Sequence, residues 1–423
     1  MQQSNHRNHQ NTLHRLVLDN GITLIVRENP TADLISGRFF FKNAGTLWEK
    51  RNQAGIFHLL ATVMTKGTTK LSSVEIAEAI ESVGASLGGD TSADYFMMSL
   101  KTVSADFLEM LALLGEILRS PTFPQQEIAL EKQLICQSIR SQQEQPFNVA
   151  FSQLREATYG DHPYGISLLG TEETVSQLSR EDLQQCYQTH FRPDNLIISL
   201  SGHITLEDGV MMIDKIFGDW KNPSQRLEMH SLPSLTVSPC QKVIHQQTQQ
   251  SIVMLGYLTV NVASPDYPVL KLLSTYLGNG LSSRLFVELR EKRGLAYDVS
   301  AFYSTRLQPS QFVVYMGTSP KNTKIAIEGL QQETERLCHL ELTSEELQTS
   351  KNKLLGQYAL GKQTNAEVAQ LYGWYETLGL GIEFDQEFPE KITNLTSDIV
   401  QKVAQKYLLS PYLSVVGPDM ATS

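Results

Sequence analysis

His58 lies near the start of an apolar run, GIFHLLATVMTKGTTKLSS (residues 55–73), and its imidazole is the one side chain there suited to a transition metal. The run reads as a buried helix closed by a Lys-Gly-Thr turn. A helix offers a zinc ion two ligands when histidines stand at i and i+4, and a catalytic zinc takes three protein ligands in all. Here the positions three and four beyond His58 are Ala61 and Thr62. His190, His203 and His245 form no i, i+4 pair and read as satisfied polar groups, as does His162 in the stretch HPYG. The cysteines, Cys136, Cys186, Cys240 and Cys338, lie far apart with no CxxC, which fits reduced thiols and neither a zinc ribbon nor a disulfide framework. LGNGLSSRLF (277–286) has the glycines and serines of a phosphate cradle, but no lysine follows in the P-loop position, so it reads as a flexible turn before a helix. Arg290 and Tyr297, seven residues apart, read on their own as a solvated charge and a strand aromatic.

The elements that must position these residues come in two sets. RLVLDNGITLIVRE and LISGRFFFKNAG alternate as strands, the first with an Asn-Gly turn. SSVEIAEAIESVGA opens with a Ser72–Glu75 capping box and sets Ile76, Ala77, Ile80 and Val83 on one face. SADFLEMLALLGEIL does the same with Phe107, Leu111, Leu114 and Leu118. DLQQCYQTHFRPDNLIISLSG (182–202) resembles DIVQKVAQKYLLSPYLSVVG (398–417) at an offset of 216, and FPQQEIALEKQL resembles LTSEELQTSKNK at 219. One offset near half the chain length points to two copies of one unit. The expected organisation is α+β, with two homologous domains, 13–220 and 242–420, joined by a Pro/Ser-rich linker at 221–241. Each domain is expected to be a mixed sheet with helices packed on one face.

The 423 residues carry a net charge of −10 and no Lys/Arg run, which disfavours nucleic acid and anionic membrane as partners. No stretch of 18 apolar residues suggests a membrane span. The polar N-terminus MQQSNHRNHQNT reads as a disordered leader whose His6 and His9 are solvated, and the cytoplasm is the expected location.

With the repeat in view, the ordered landmarks LDNGITLIVREN, NAGTLWEKRNQAGIFHLLATVMTKGT, ESVGASLGGDTSADY, GDHPYGISLLGTEETVSQLS and LGNGLSSRLFVELREKRGLAYDVSA resemble the pitrilysin/insulinase family of zinc peptidases, in its processing-peptidase-like branch. The resemblance runs from Leu13 to Gly417. It implies an inverted His-x-x-Glu-His motif in the first half, with a further glutamate ligand about 75 residues on. Matching the Lys-Gly-Thr turn puts His58 on the first histidine, Ala61 on the general base, Thr62 on the second histidine and Ser138 on the last ligand. This is a zinc motif with one functional residue left of four. Glu131, close before Ser138, reads as a helix-surface or supporting carboxylate. The same resemblance makes Arg290 and Tyr297 the pair that reaches a zinc site and steadies the oxyanion formed there.

Together these imply a metallopeptidase-family subunit that binds no zinc and is inactive alone. It would complete the active site of a homologous zinc-binding partner chain in a heterodimer acting on unfolded peptides, held as an added strand on a sheet edge. Two other readings are a catalytically inert scaffold or assembly subunit of the same family, and a self-sufficient metallopeptidase with substitute ligands. The latter would need two more His, Asp or Glu residues to converge on His58.

Overall fold

The structure, a computed structural model, describes residues 12–225, 227 and 231–418. The leader residues His6 and His9, and linker residues 226 and 228–230, lie outside the described residues. The strands are β1 (Leu13–Val17), β2 (Thr23–Glu28), β3 (Leu34–Lys42), β4 (Ser86–Thr91), β5 (Tyr95–Val103), β6 (Leu196–Gly202), β7 (Gln241–His245), β8 (Ser251–Leu258), β9 (Ala296–Tyr303), β10 (Gln311–Thr318) and β11 (Tyr412–Gly417). In the first half the helices are α1 (Ile56–Val63), α2 (Ser73–Ser82), α3 (Phe107–Arg119), α4 (Gln125–Glu144), α5 (Pro146–Tyr159), α6 (Glu172–Gln177), α7 (Arg180–His190) and α8 (Leu206–Phe217). The second half has α9 (Tyr267–Gly278), α10 (Thr323–His339), α11 (Ser344–Leu360), α12 (Asn365–Thr377), α13 (Phe384–Thr393) and α14 (Ser397–Tyr407). Between α9 and β9 lies a π-helix, Phe286–Lys292. No described helix is long and apolar enough to cross a membrane.

Two sheets repeat one topology. The first runs β1-β2-β6-β3-β5-β4 and the second β7-β11-β8-β10-β9. In each, one parallel pair (β2 with β6, β7 with β11) adjoins otherwise antiparallel neighbours. Each repeated segment seen in the sequence supplies a helix and the inserted strand, α7–β6 in one copy and α14–β11 in the other. The fold is α+β, built twice.

The compact units are interleaved in sequence. One holds residues 1–135, 168–230 and 361–382; the other holds 136–167, 231–360 and 383–423. α5, from the first half of the chain, packs on β8 and β11, and α12, from the second half, packs on β3 and β6. These exchanged helices cover the sheet face that the other helices leave open. In the first unit Phe39 meets Phe217 of α8 on one face. Phe40, Ile25, Met97 and Ile197 form a separate cluster against Tyr372 and Trp374 of α12 on the other. In the second unit Ala150 and Leu154 of α5 join Ile252, Met254, Val313 and Tyr412. Helices therefore lie on both faces of each sheet rather than one, which is why Phe39, Phe40 and Phe41 are all fully buried despite pointing alternately up and down.

The capping box forms as expected, with Ser72 and Glu75 reciprocally bonded. Phe107, Leu111, Leu114 and Leu118 are all fully buried. On α2, Ile76 is buried but Ala77 is exposed, because this helix touches the unit along a narrow stripe.

Candidate functional site

α1 starts at Gly55, whose φ of 92° is the left-handed region that glycine enters without penalty. No side chain at Gly55 can cap the helix, and Glu49 does so from six residues upstream. Its carboxylate accepts from Gly55 N at 3.0 Å and Phe57 N at 3.2 Å, two of the donors that a helix start leaves open. Burial pushes the Glu49 carboxyl up to about 7, against the pull of those two N–H groups. Nothing in the sequence singled out Glu49 beyond its place in the mixed polar and apolar stretch GTLWEKRNQAG. A cavity of about 450 Å³ opens beside this helix start, walled by Trp48, Glu49, Phe57, Cys186 and His190, and His58 is not among its walls.

His58 is half-buried on α1. Burial lowers its imidazole pKa, opposed by the carboxylates of Asp90 and Glu131, so the ring is neutral at neutral pH. Ala61 is 5% exposed and lies directly under β4, where a Cβ on Gly89 would come 2.6 Å from the Ala61 carbonyl oxygen. The Thr62 hydroxyl donates to Leu59 O, one turn back, at 3.0 Å. Glu131 on α4 is 7% exposed and pairs with Lys66 at 3.0 Å. Ser138 follows on the same helix, two turns on. A zinc ion does not fit this donor set: one imidazole, a methyl group, a hydroxyl turned to its own helix and a carboxylate already neutralised by an ammonium. Among the described residues no three His, Cys, Asp or Glu side chains converge as a metal site. His162 accepts from Tyr164 N at 3.1 Å and His190 Nδ1 meets Asn43 O at 2.6 Å, both in structural roles.

The second pair stands on two departures from regular backbone. Arg290 is on the π-helix, exposed, with its guanidinium 4.9 Å from the centre of the Phe286 ring. π-Helical turns widen the backbone and recur at functional sites. The chain leaves this element through Gly294 at φ 59°, where nothing lies within 4 Å of a would-be Cβ. It then enters β9, an edge strand of its sheet. Gly317 pairs with Asp298 and Thr318 with Ala296, so Tyr297 is the extra residue of a β-bulge. A bulge re-aims the side chain it carries, and Tyr297 is 61% exposed while Val299, Ala301 and Tyr303 beyond it are buried. The sequence could show the spacing of Arg290 and Tyr297 but neither irregularity.

The family model for insulinase, peptidase family M16, matches residues 25–172, and the model for the peptidase M16 inactive domain matches residues 177–354. An uncharacterized zinc protease of Bacillus subtilis is 27% identical over 405 residues, spanning 94% of this chain and 98% of its own. One of Rickettsia felis is 26% identical over 405 residues, spanning 95% and 97%. In fold, the crystal structure of a peptidase M16 inactive domain from Pseudomonas fluorescens matches with a TM-score of 0.90 at 22% identity, covering 97% of this chain and 99% of that one. A Helicobacter pylori protease matches at 0.86 and 21% identity, covering 96% and 99%.

Proposed function

The chain belongs to the insulinase-like M16 peptidase family, and we propose that it is the zinc-free subunit of a heterodimeric metallopeptidase, lending Arg290 and Tyr297 to a partner's active site. The partner would be a homologous chain with an intact His-x-x-Glu-His motif, whose zinc activates water and polarises the peptide carbonyl. This chain's part is electrostatic. The Tyr297 phenol donates a hydrogen bond to the oxygen that becomes negative as the carbonyl is attacked, and the Arg290 guanidinium adds positive charge beside it. Unfolded peptides would be held in extended form on a sheet edge, where backbone bonding is indifferent to sequence.

The observation that carries this reading is the contrast between the two sites. The first-half positions are folded away: Ala61 lies under a strand, Thr62 bonds its own helix and Glu131 is paired. Arg290 and Tyr297 are instead held out to solvent by a π-helix and a bulge. A scaffold would have no chemical use for that pair.

The test is reconstitution with a zinc-bearing homologue of intact motif, assayed on an internally quenched unfolded peptide. Tyr297→Phe removes one donor and almost no volume, so folding and association survive. Turnover should fall roughly 10²- to 10³-fold, with KM changed far less, because the oxyanion exists only beyond the ground state. Arg290→Ala should behave similarly, with some added loss in KM. Full turnover with Tyr297→Phe would leave the chain as an assembly subunit.

A further inference from the structure

Four cations crowd the element that carries Arg290, namely Arg284, Arg290, Lys292 and Arg293, and the structure treats them unequally. Arg284 Nε donates to Glu333 Oε2 of α10 at 2.7 Å, and its Nη1 lies 3.0 Å from Glu288 Oε1. Lys292 takes the same Glu288 oxygen at 2.8 Å. Two cations and two carboxylates thus neutralise one another along the stripe 284–288–292. The Arg284, Glu288 and Glu333 side chains are between 13% and 24% exposed, so water screens these bridges less than it would a surface pair. Arg293 lies against α10, where a Cβ on Gly329 would come 3.1 Å from its Nη1 and 3.0 Å from Leu289 Cδ2. Leu289 is fully buried. Gly329 and Glu333 stand at i and i+4 on α10, so one face of that helix receives both the buried leucine and the arginine bridge.

Arg290 is two residues beyond Glu288, roughly half a turn around the helix from the ion-paired stripe. Its contact is the Phe286 ring, and among the described residues no ion pair with a carboxylate engages it. On its own element Glu288 is taken and Glu291, the next residue, forms no ion pair with it, and the helix cannot rotate to bring Glu288 to it without breaking the Arg284 bridge to α10.

We propose that Arg284 is a positioning residue for Arg290: by joining Glu288 to Glu333 it locks the rotation of the π-helix, holding Arg290 outward with its charge unneutralised. This rests on the role given above to Arg290. Arg284 touches no reacting atom. It acts by setting direction, which matters because misplacement of a catalytic group by about 1 Å can lower rate by as much as 10².

The test is a double-mutant cycle in the reconstituted pair, with the quenched unfolded peptide as substrate. Arg284→Met keeps the unbranched apolar stem and removes both bridges. It should lower turnover about tenfold with KM within about twofold. On the Arg290→Ala background the same change should cause no further loss, since a positioning residue has nothing left to position. Arg284→Lys, able to hold one carboxylate but not fork to two, should recover part of the rate. Where Arg284→Met does not fold, Glu333→Gln breaks only the bridge to α10 and should show the same coupling. Losses that multiply in the double variant, or an Arg284→Met chain that turns over at the parental rate while Arg290→Ala does not, overturn the positioning role and leave the division of labour intact. A silent Arg290→Ala overturns that division of labour itself, and the positioning role with it.

Discussion

Glu49→Gln should flatten a defined part of the pH–stability profile of the unit that contains α1. The parent carboxyl sits at about 7 in the folded protein against an ordinary 4.5. Each unit of difference is about 1.4 kcal/mol, so the ionised carboxylate costs the native state roughly 3 kcal/mol relative to the unfolded chain. The folded pKa is raised, so the native state keeps a proton that the unfolded chain has released. The resulting stability is complete below pH 4.5 and is lost as pH rises through about 7. The neighbouring Cys186 thiol is pushed well above its ordinary value by burial and by Glu49, and does not titrate in this window. Glutamine cannot ionise, and it can accept only one of the two N–H bonds while turning its amide toward the other donor. Glu49→Gln should therefore be less stable than the parent at pH 5 by roughly 1–3 kcal/mol, and the gap should close toward pH 8. The assay is selective: Trp48, Trp220 and Trp374 all lie in the unit with Glu49. Urea unfolding followed by tryptophan fluorescence between pH 5 and 8 thus reports that unit alone. Parallel profiles for parent and variant across the window would refute the assignment of the slope to Glu49.

Elemental analysis of the purified chain should find no stoichiometric zinc, and Thr62→His with Ser138→Glu should restore metal capture if the frame of α1 and α4 survives; adding Ala61→Glu should then bring weak hydrolysis. Stoichiometric zinc in the parent, lost together with a peptidase activity of the chain alone, would overturn the reading of His58, Ala61, Thr62 and Ser138 as a lost site. Gly89→Ala places a methyl 2.6 Å from Ala61 O and 3.0 Å from Met98 Sδ, so β4 and α1 must separate, at about 2 kcal/mol by urea unfolding. Gly88→Ala, with nothing within 4 Å, should come within about 0.5 kcal/mol of the parent.

Local patterns carry local chemistry, and these the sequence states outright. The Asn-Gly turn between β1 and β2, the Ser72–Glu75 box and the apolar face of α3 each depend on residues a few positions apart, and each forms as read. Because the two repeats share one offset, doubling of the fold was also legible. The proposal of a lost zinc motif rests on residue type, read at Ala61, Thr62 and Ser138 once the Lys-Gly-Thr turn is taken to set the register. Tertiary structure alone decided what depends on partners distant in sequence. Strand and helix periodicity marks which side of an element is apolar but not which helix covers it, so the exchange of α5 and α12 between sheets was invisible. Read as an alternating strand under helices on one face, Phe39, Phe40 and Phe41 are instead all fully buried, because α8 and α12 cover opposite faces. Glu49 as cap of α1, the Lys66–Glu131 pair and the Arg284 bridge to Glu333 join residues brought together only when separate elements pack. The π-helix under Arg290 and the bulge at Tyr297 have the same origin: an extra residue in a helix or ladder is stable only where neighbouring elements fix the register on either side, and no local preference of these residues encodes it.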